Sequence, residues 1–229
     1  MCKEEKKAPC DTSFDKAFDE IINLTWYPWV GKDFKNTIIL GESHYDKWDD
    51  VDPVTSAAWL ASKVFTRNRT AGPALNGNPK EPYFRNFERA YFGASQIERN
   101  LANNLWHSVA HFNLVQKVMK DKNERPTRED YRTGWDVFWD VNKILNTENV
   151  IVFGTDLMKI QTFRQLLLKH KIKADVIPSD ESLGSRTKGK AFVLENSYLK
   201  KVIFIKHPSS YFKWDKCHEF FEKVGLKII

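Results

Sequence analysis

Three short apolar runs in this sequence each end in side chains able to do chemistry. Thr37-Ile38-Ile39-Leu40 runs into Gly41-Glu42-Ser43-His44-Tyr45. Val150-Ile151-Val152-Phe153 runs into Gly154-Thr155-Asp156. Val202-Ile203-Phe204-Ile205 runs into Lys206-His207-Pro208-Ser209-Ser210-Tyr211. Brought together, these segments supply histidines, carboxylates and several hydroxyls. Carboxylate and imidazole groups are the usual carriers of protons and stabilisers of developing charge in enzyme sites.

The runs themselves say how such a meeting would come about. They are continuous, rich in β-branched residues, and separated by helical patterns. Strands buried on both faces by crossover helices read this way, so a parallel sheet is expected. In such sheets the functional site lies beyond the carboxyl ends of the strands, where these three groups stand. Residues 107–115, with Val109, His111 and Asn113 alternating, read as a fourth strand or a buried loop. Ala174–Ile177 and Ala191–Leu194 read as shorter accessory strands. The expected fold is α/β, three layers, with a central and mostly parallel sheet of about four strands.

Helical patterns fill the intervals. Thr12-Ser13-Phe14-Asp15 reads as a capping box ahead of a helix carrying Phe14, Ala17, Phe18, Ile21 and Ile22. Thr127-Arg128-Glu129-Asp130 reads as another, with Tyr131, Trp135, Phe138, Asn142 and Leu145 on one face. A third helix after Gly154 would turn Leu157, Ile160, Phe163 or Arg164, and Leu167 inward, and a last one spans about Trp214 to Val224. Residues 66–82, with several Asn, Gly and Pro, read as a long surface loop. Residues 1–11 read as a polar tail and 12–229 as one domain.

Composition narrows the function classes. The chain has 229 residues, is 41% hydrophobic, and carries 36 Lys and Arg against 30 Asp and Glu. That balance excludes wholesale disorder. No apolar stretch approaches the ~20 residues of a membrane span, and none follows the charged first residues as a signal peptide requires. Cys2, Cys10 and Cys217 are too few for an iron–sulfur cluster or a disulfide framework. A cytoplasmic protein without a cofactor, with no membrane partner and monomeric, is expected. His107 and His111 have a spacing that suits a metal on a helix, but no third ligand accompanies them, and no metal site is expected.

The three strand-end segments resemble the signature of the uracil-DNA glycosylase superfamily. Its first motif, G-Q-D-P-Y-H in the commonest branch and G-E-A-P-G in another, is similar to Gly41-Glu42-Ser43-His44-Tyr45. Its last, H-P-S-P-L, is similar to His207-Pro208-Ser209-Ser210-Tyr211. Phe112-Asn113 resembles the Asn at the end of its second strand, and the closing segment with His218, Phe220 and Phe221 before Gly225-Leu226 is similar to its C-terminal end. Ser43 stands where the commonest branch has a water-activating Asp, and His44 and Ser210 each replace a Pro.

The resemblance implies a divergent DNA glycosylase, hydrolysing the N-glycosidic bond of uracil or another deaminated base. It places Glu42 as the carboxylate beneath the sugar and His207 as the donor to the departing base. It makes Gly41, Ser43, His44, Tyr45 and Asn113 the walls of the base pocket, with the Asn113 amide reading the base edge. Lys206, Ser209 and Ser210 would bind phosphate, and Tyr211 would wedge into the duplex. Trp48, Trp59 and Phe65 are candidates to stack on a flipped base, which needs an aromatic face. Residues 186–206 carry Arg186, Lys188, Lys190, Lys200, Lys201 and Lys206 against Glu195 alone, as expected of a surface for DNA. Two other readings stand beside this one. The same fold could bind a nucleic acid or nucleotide without cleaving it. Ser43, then Asp175 or Asp180, then His207 also follows the chain order of an α/β-hydrolase triad.

Overall fold

The structure, a computed structural model, describes residues 9–45, 53–76, 82–120, 123–209 and 211–229. The first half contains α1 (Asp15–Phe18), β1 (Trp29–Val30), β2 (Thr37–Gly41), β3 (His44–Tyr45), α2 (Pro53–Ala61), α3 (Phe65–Asn76), α4 (Pro82–Phe92) and α5 (Arg99–His107). It continues with β4 (Val109–Asn113), β5 (Val118–Met119), α6 (Arg128–Leu145), β6 (Asn149–Phe153) and α7 (Leu157–Lys169). The remainder is β7 (Ala174–Ser182), β8 (Lys188–Leu194), β9 (Lys201–Ile205) and α8 (Trp214–Lys223).

The three apolar runs are strands, and residues 109–113 are another. Strands β4, β2, β6 and β9 lie side by side and parallel, each with a helix in the crossover that leads to it or away from it. Side chains alternate between the two faces with the strand period of two. Ile38, Leu40, Val150, Val152, Val202 and Phe204 face a core closed by α6 and α7. Ile39, Val109, Ile151, Phe153, Ile203 and Ile205 face a second core closed by α4, α5 and α8. The fold is therefore α/β with helices on both faces of the sheet.

The sheet differs from the expected four strands. It has seven, in the order β1-β4-β2-β6-β9-β8-β7, and it is mixed. β1 pairs antiparallel with β4 at one edge, and β8 and β7 add two antiparallel strands at the other. Chain length explains the second edge: a parallel crossover needs a dozen or more residues, and the connections 183–187 and 195–200 are far shorter. A separate parallel pair, β3 with β5, sits off this sheet.

Three local expectations are corrected. Of the loop expected over 66–82, residues 77–81 lie outside the described residues and the rest is helical: α3 contains Pro73 and still buries Thr66, Arg67, Thr70 and Ala74. Its polar residues are satisfied in the interior. The Arg67 guanidinium, 1% exposed, takes both Asp15 oxygens and the Pro28 carbonyl. Tertiary packing of this kind overrides local propensity. The same contact explains the second correction, since α1 is a single turn with no side-chain cap. With its carboxylate held by Arg67, Asp15 makes no capping box with Thr12. The third is Leu157, which is exposed, while Lys159 takes an inward place on α7. The Thr127 capping box of α6 does form, and its expected inward residues are all buried. No helix among the described residues is long and apolar enough to cross a membrane.

Candidate active site

Parallel pairing in register sets the site. Gly41 pairs with Asn113, Leu40 with Val152, and Phe153 with Ile205, so the four strands finish on one edge. Their C-terminal extensions meet around a cavity of about 730 Å³. Glu42, Ser43, His44, Tyr45, Asn113, Gly154, Asp156, Lys206, His207 and Ser209 all line it.

Glu42 leaves β2 toward the start of α7. Its Oε1 lies 2.8 Å from the ammonium of Lys159 and accepts the Tyr131 hydroxyl at 3.0 Å. Arg125 approaches Oε2 at 3.5 Å. Burial alone would raise the Glu42 carboxyl pKa, but Lys159, through charge and hydrogen bond, together with the Tyr131 hydroxyl and His207, outweighs it and holds the group below its ordinary value. The site therefore carries an ionised carboxylate. Gly154 makes room for this arrangement: its backbone has a φ of +91°, and a Cβ there would sit 2.7 Å from the Lys159 ammonium.

His207 follows β9. The Ser209 backbone N–H donates to its Nδ1 at 3.3 Å, and Ser209 Oγ lies 2.8 Å from the same nitrogen. Burial, with help from Lys159, pushes the ring down to about 4, so the imidazole is neutral at pH 7. With Nδ1 accepting, the hydrogen stands on Nε2, which makes the ring a neutral donor. Asn86 of α4 holds this loop by donating to the Pro208 carbonyl at 2.7 Å.

Asn113 ends β4 and is buried. Its backbone carbonyl accepts the Gln116 amide at 2.6 Å, but its side-chain amide has no hydrogen-bond partner among the described residues. It lies over Gly41, with the hydroxyl of Tyr83 beside it. The Ser43 Oγ is also buried without a hydrogen-bond partner among the described residues.

Behind this wall runs a chain of hydrogen bonds. Thr70 gives its one hydroxyl hydrogen to the Thr66 carbonyl at 2.8 Å, so it accepts from Nδ1 of His111, also at 2.8 Å. The neutral His111 ring then accepts the Tyr83 hydroxyl at Nε2, 2.9 Å away. His44 meets the Thr66 hydroxyl at 2.8 Å. Burial pushes both rings down to about 3.

Several sequence-based assignments are not brought to the cavity. Lys200 and Lys201 stand before and at the first residue of β9, the opposite end from His207, and Lys201 donates to the Gly225 carbonyl. The basic cluster is thus split by the length of a strand, leaving Lys206 in the cavity and Arg186 and Lys188 by the β7–β8 turn near it. Tyr211 is 84% exposed with a left-handed φ of 47°, and its carbonyl packs on Gly184. Ser210 and Trp48 lie outside the described residues. Trp59 is half-exposed, and Phe65 packs on Trp26 and His44, so neither lines the cavity. His107 closes α5 while His111 is in β4, so their spacing is not helical. The hydrolase triad is not assembled, since Asp175 is exposed, Asp180 pairs with Lys223, and Ser43 Oγ has no imidazole on it.

Lys159, Tyr131, Tyr83 and the Thr66–Thr70 pair were missed by sequence reasoning. A signal existed for Lys159, which stands four residues before Phe163 on the stripe that faces the core. Tyr83 and Phe84, not the three aromatics named from sequence, bring aromatic rings to the cavity alongside Tyr45. No protein-family model and no curated protein matches the chain.

Proposed function

We propose that the chain is a DNA glycosylase of the uracil-DNA glycosylase kind, hydrolysing the N-glycosidic bond of uracil or another deaminated base. The observation that carries this reading is the meeting around one cavity of the Asn113 amide, which has no side-chain hydrogen-bond partner among the described residues, an ionised carboxylate, Glu42, and a neutral imidazole donor, His207. The strand order β4-β2-β6-β9 and the motif order along the chain support the same fold assignment.

Each role rests on the chemistry of bond cleavage. As the C1′–N bond breaks, its electron pair leaves with the base and the sugar takes on oxocarbenium character. Glu42 stabilises that positive charge and orients the water that adds to C1′, whose proton passes to the carboxylate and on to solvent. The Nε2–H of His207 donates to the base oxygen on which negative charge grows. Asn113 pairs with the base edge through an amide that offers one donor and one acceptor face. Lys206 and Ser209, which line the cavity, would bind phosphate, and Tyr211, exposed outside it, would be the wedge that holds a duplex open.

One observation favours a second reading, a binder that does not cleave. Ser43 brings a hydroxyl where the commonest branch has an Asp, and Glu42 is already ion-paired with Lys159. Chromatographic detection of free base from oligonucleotides bearing uracil, hypoxanthine or xanthine separates the two. Released base supports the glycosylase, whereas a gel shift with every base retained supports the binder.

A further inference from the structure

The two oxygens of Glu42 have different surroundings. Oε1 receives two interior donors, the Lys159 ammonium at 2.8 Å and the Tyr131 hydroxyl at 3.0 Å. Lys159 is 0% exposed and Tyr131 2%. The guanidinium of Arg125 approaches Oε2 at 3.5 Å, and that side chain is 72% exposed. One oxygen is held by two interior donors, the other is approached by an exposed side chain, and Glu42 lines the cavity.

Lys159 is itself fixed from several directions. Its ammonium also donates to the Phe153 carbonyl at 2.7 Å, and its backbone N–H caps onto Asp156 at 3.1 Å. Gly154 leaves the space that the ammonium occupies. A buried ion pair is weak evidence for stability, because desolvation offsets most of the attraction and apolar replacements often fold as well. Its position at the cavity wall is the more informative fact.

We propose that Lys159 is a positioning residue that, with Tyr131, pins Oε1 of Glu42 to the wall and leaves Oε2 as the working oxygen. What Oε2 meets, the sugar and the attacking water, rests on the glycosylase reading; the pinning does not. The charged and titratable groups that face the carboxylate are Lys159 and Asp156 at the start of α7, Tyr131 on α6, Arg125 ahead of it, and His207 after β9. Lys159 is the buried cation among them.

Carbon-detected NMR titration of the Glu42 carboxyl, its signal identified by its loss in Glu42→Gln, tests this. The pH profile of base release is recorded beside it. In Lys159→Met the Glu42 midpoint should rise by about one unit or more, a tenfold gain in proton affinity. The acid limb of base release should move up with it while the alkaline limb stays. Should Lys159→Met fail to fold, Tyr131→Phe removes one donor, keeps the ring, and should give a smaller rise. An unchanged Glu42 midpoint in the folded variant overturns the proposal. So does a rate lowered equally at every pH with no movement of the midpoint, which is the mark of a purely structural residue. If the parent chain releases no base at any pH, the glycosylase reading fails, and the NMR midpoints still decide the pinning.

Discussion

Asn113 and Gly41 are register partners on adjacent parallel strands, and the Asn113 side-chain oxygen occupies the place where a Cβ at position 41 would stand. The same Cβ would come within 2.8 Å of the Tyr83 hydroxyl. A strand register thus decides where the amide that faces the cavity can lie. Glycine at position 41 is required here for close approach, not for an unusual backbone angle.

Gly41→Ala should therefore displace Asn113 and Tyr83 together. Overpacking of this kind costs about 1–3 kcal/mol. Urea unfolding should show that loss, and base release should fall by more than the loss of folded protein explains. Parental stability and parental rate in this variant would mean that the amide is not held where the register puts it.

Asn113 itself should discriminate between bases. Uracil offers an N3–H donor and an O4 acceptor, which an amide matches, whereas cytosine offers the reverse. A mismatch in a closed pocket leaves polar groups unpaired, and such sites discriminate by ~10⁴-fold. Asn113→Ala should lose uracil release, and Asn113→Asp should lose it while gaining slow release of cytosine. Parallel assays on matched uracil and cytosine oligonucleotides decide this. Parental uracil release by both variants would return Asn113 to a structural role.

The division of the basic cluster makes a contrast in salt dependence. Lys206→Ala should flatten the slope of log K against log salt by about one unit for each phosphate that is no longer neutralised. Lys200→Ala and Lys201→Ala should leave that slope unaltered, since both residues stand at the far end of β9. Binding titrations over a range of salt concentrations measure this, and the reverse pattern would place the nucleic acid on the other edge of the sheet.

Stability should fall steeply in acid. Burial pushes His44 and His111 down to about 3 and His207 to about 4. In the unfolded chain each ring titrates near ~6.5, so below that pH the unfolded state binds protons that the folded state refuses. Stability is full above ~7 and declines as pH falls, by about 1.4 kcal/mol per pH unit for each ring once below ~6. Three rings together would remove about 6 kcal/mol by pH ~5, a large share of a typical stability of about 5–15 kcal/mol. Urea unfolding at a series of pH values checks the slope, which His111→Gln should reduce by about a third. A flat profile from neutral pH to pH ~5 would show that these rings are not held neutral.

The parts of this architecture that were legible in sequence are those in which local pattern and burial agree. The runs at 37–40, 150–153 and 202–205 could be read because burial on both faces leaves their interior positions apolar and β-branched or aromatic in large part. Their ends then marked Glu42 and His207, and the alternation at 109–113 marked Asn113. α3 was illegible because Gly72 and Pro73 signal a loop, and only the distant partners of Arg67 and Thr70 show why a helix forms there. Lys159 was hidden for the same reason, since its partner Glu42 lies 117 residues earlier in the chain. The far placement of Lys200 and Lys201 needed the direction of β9, which a charge count over 186–206 ignores.

The central claim is that the ionised Glu42 carboxylate drives cleavage of a glycosidic bond. Glu42→Gln keeps the shape and removes the charge. Electrostatic stabilisation of this type contributes ~3 kcal/mol or more, so the variant should bind oligonucleotide nearly as the parent does and form abasic sites on the order of 100-fold more slowly. The measurement is single-turnover formation of alkali-labile sites in a uracil-containing duplex, with parent and variant compared under the same conditions. A slow variant that still binds is the result expected. Equal rates for the two, or no alkali-labile sites with the parent, would contradict the claim.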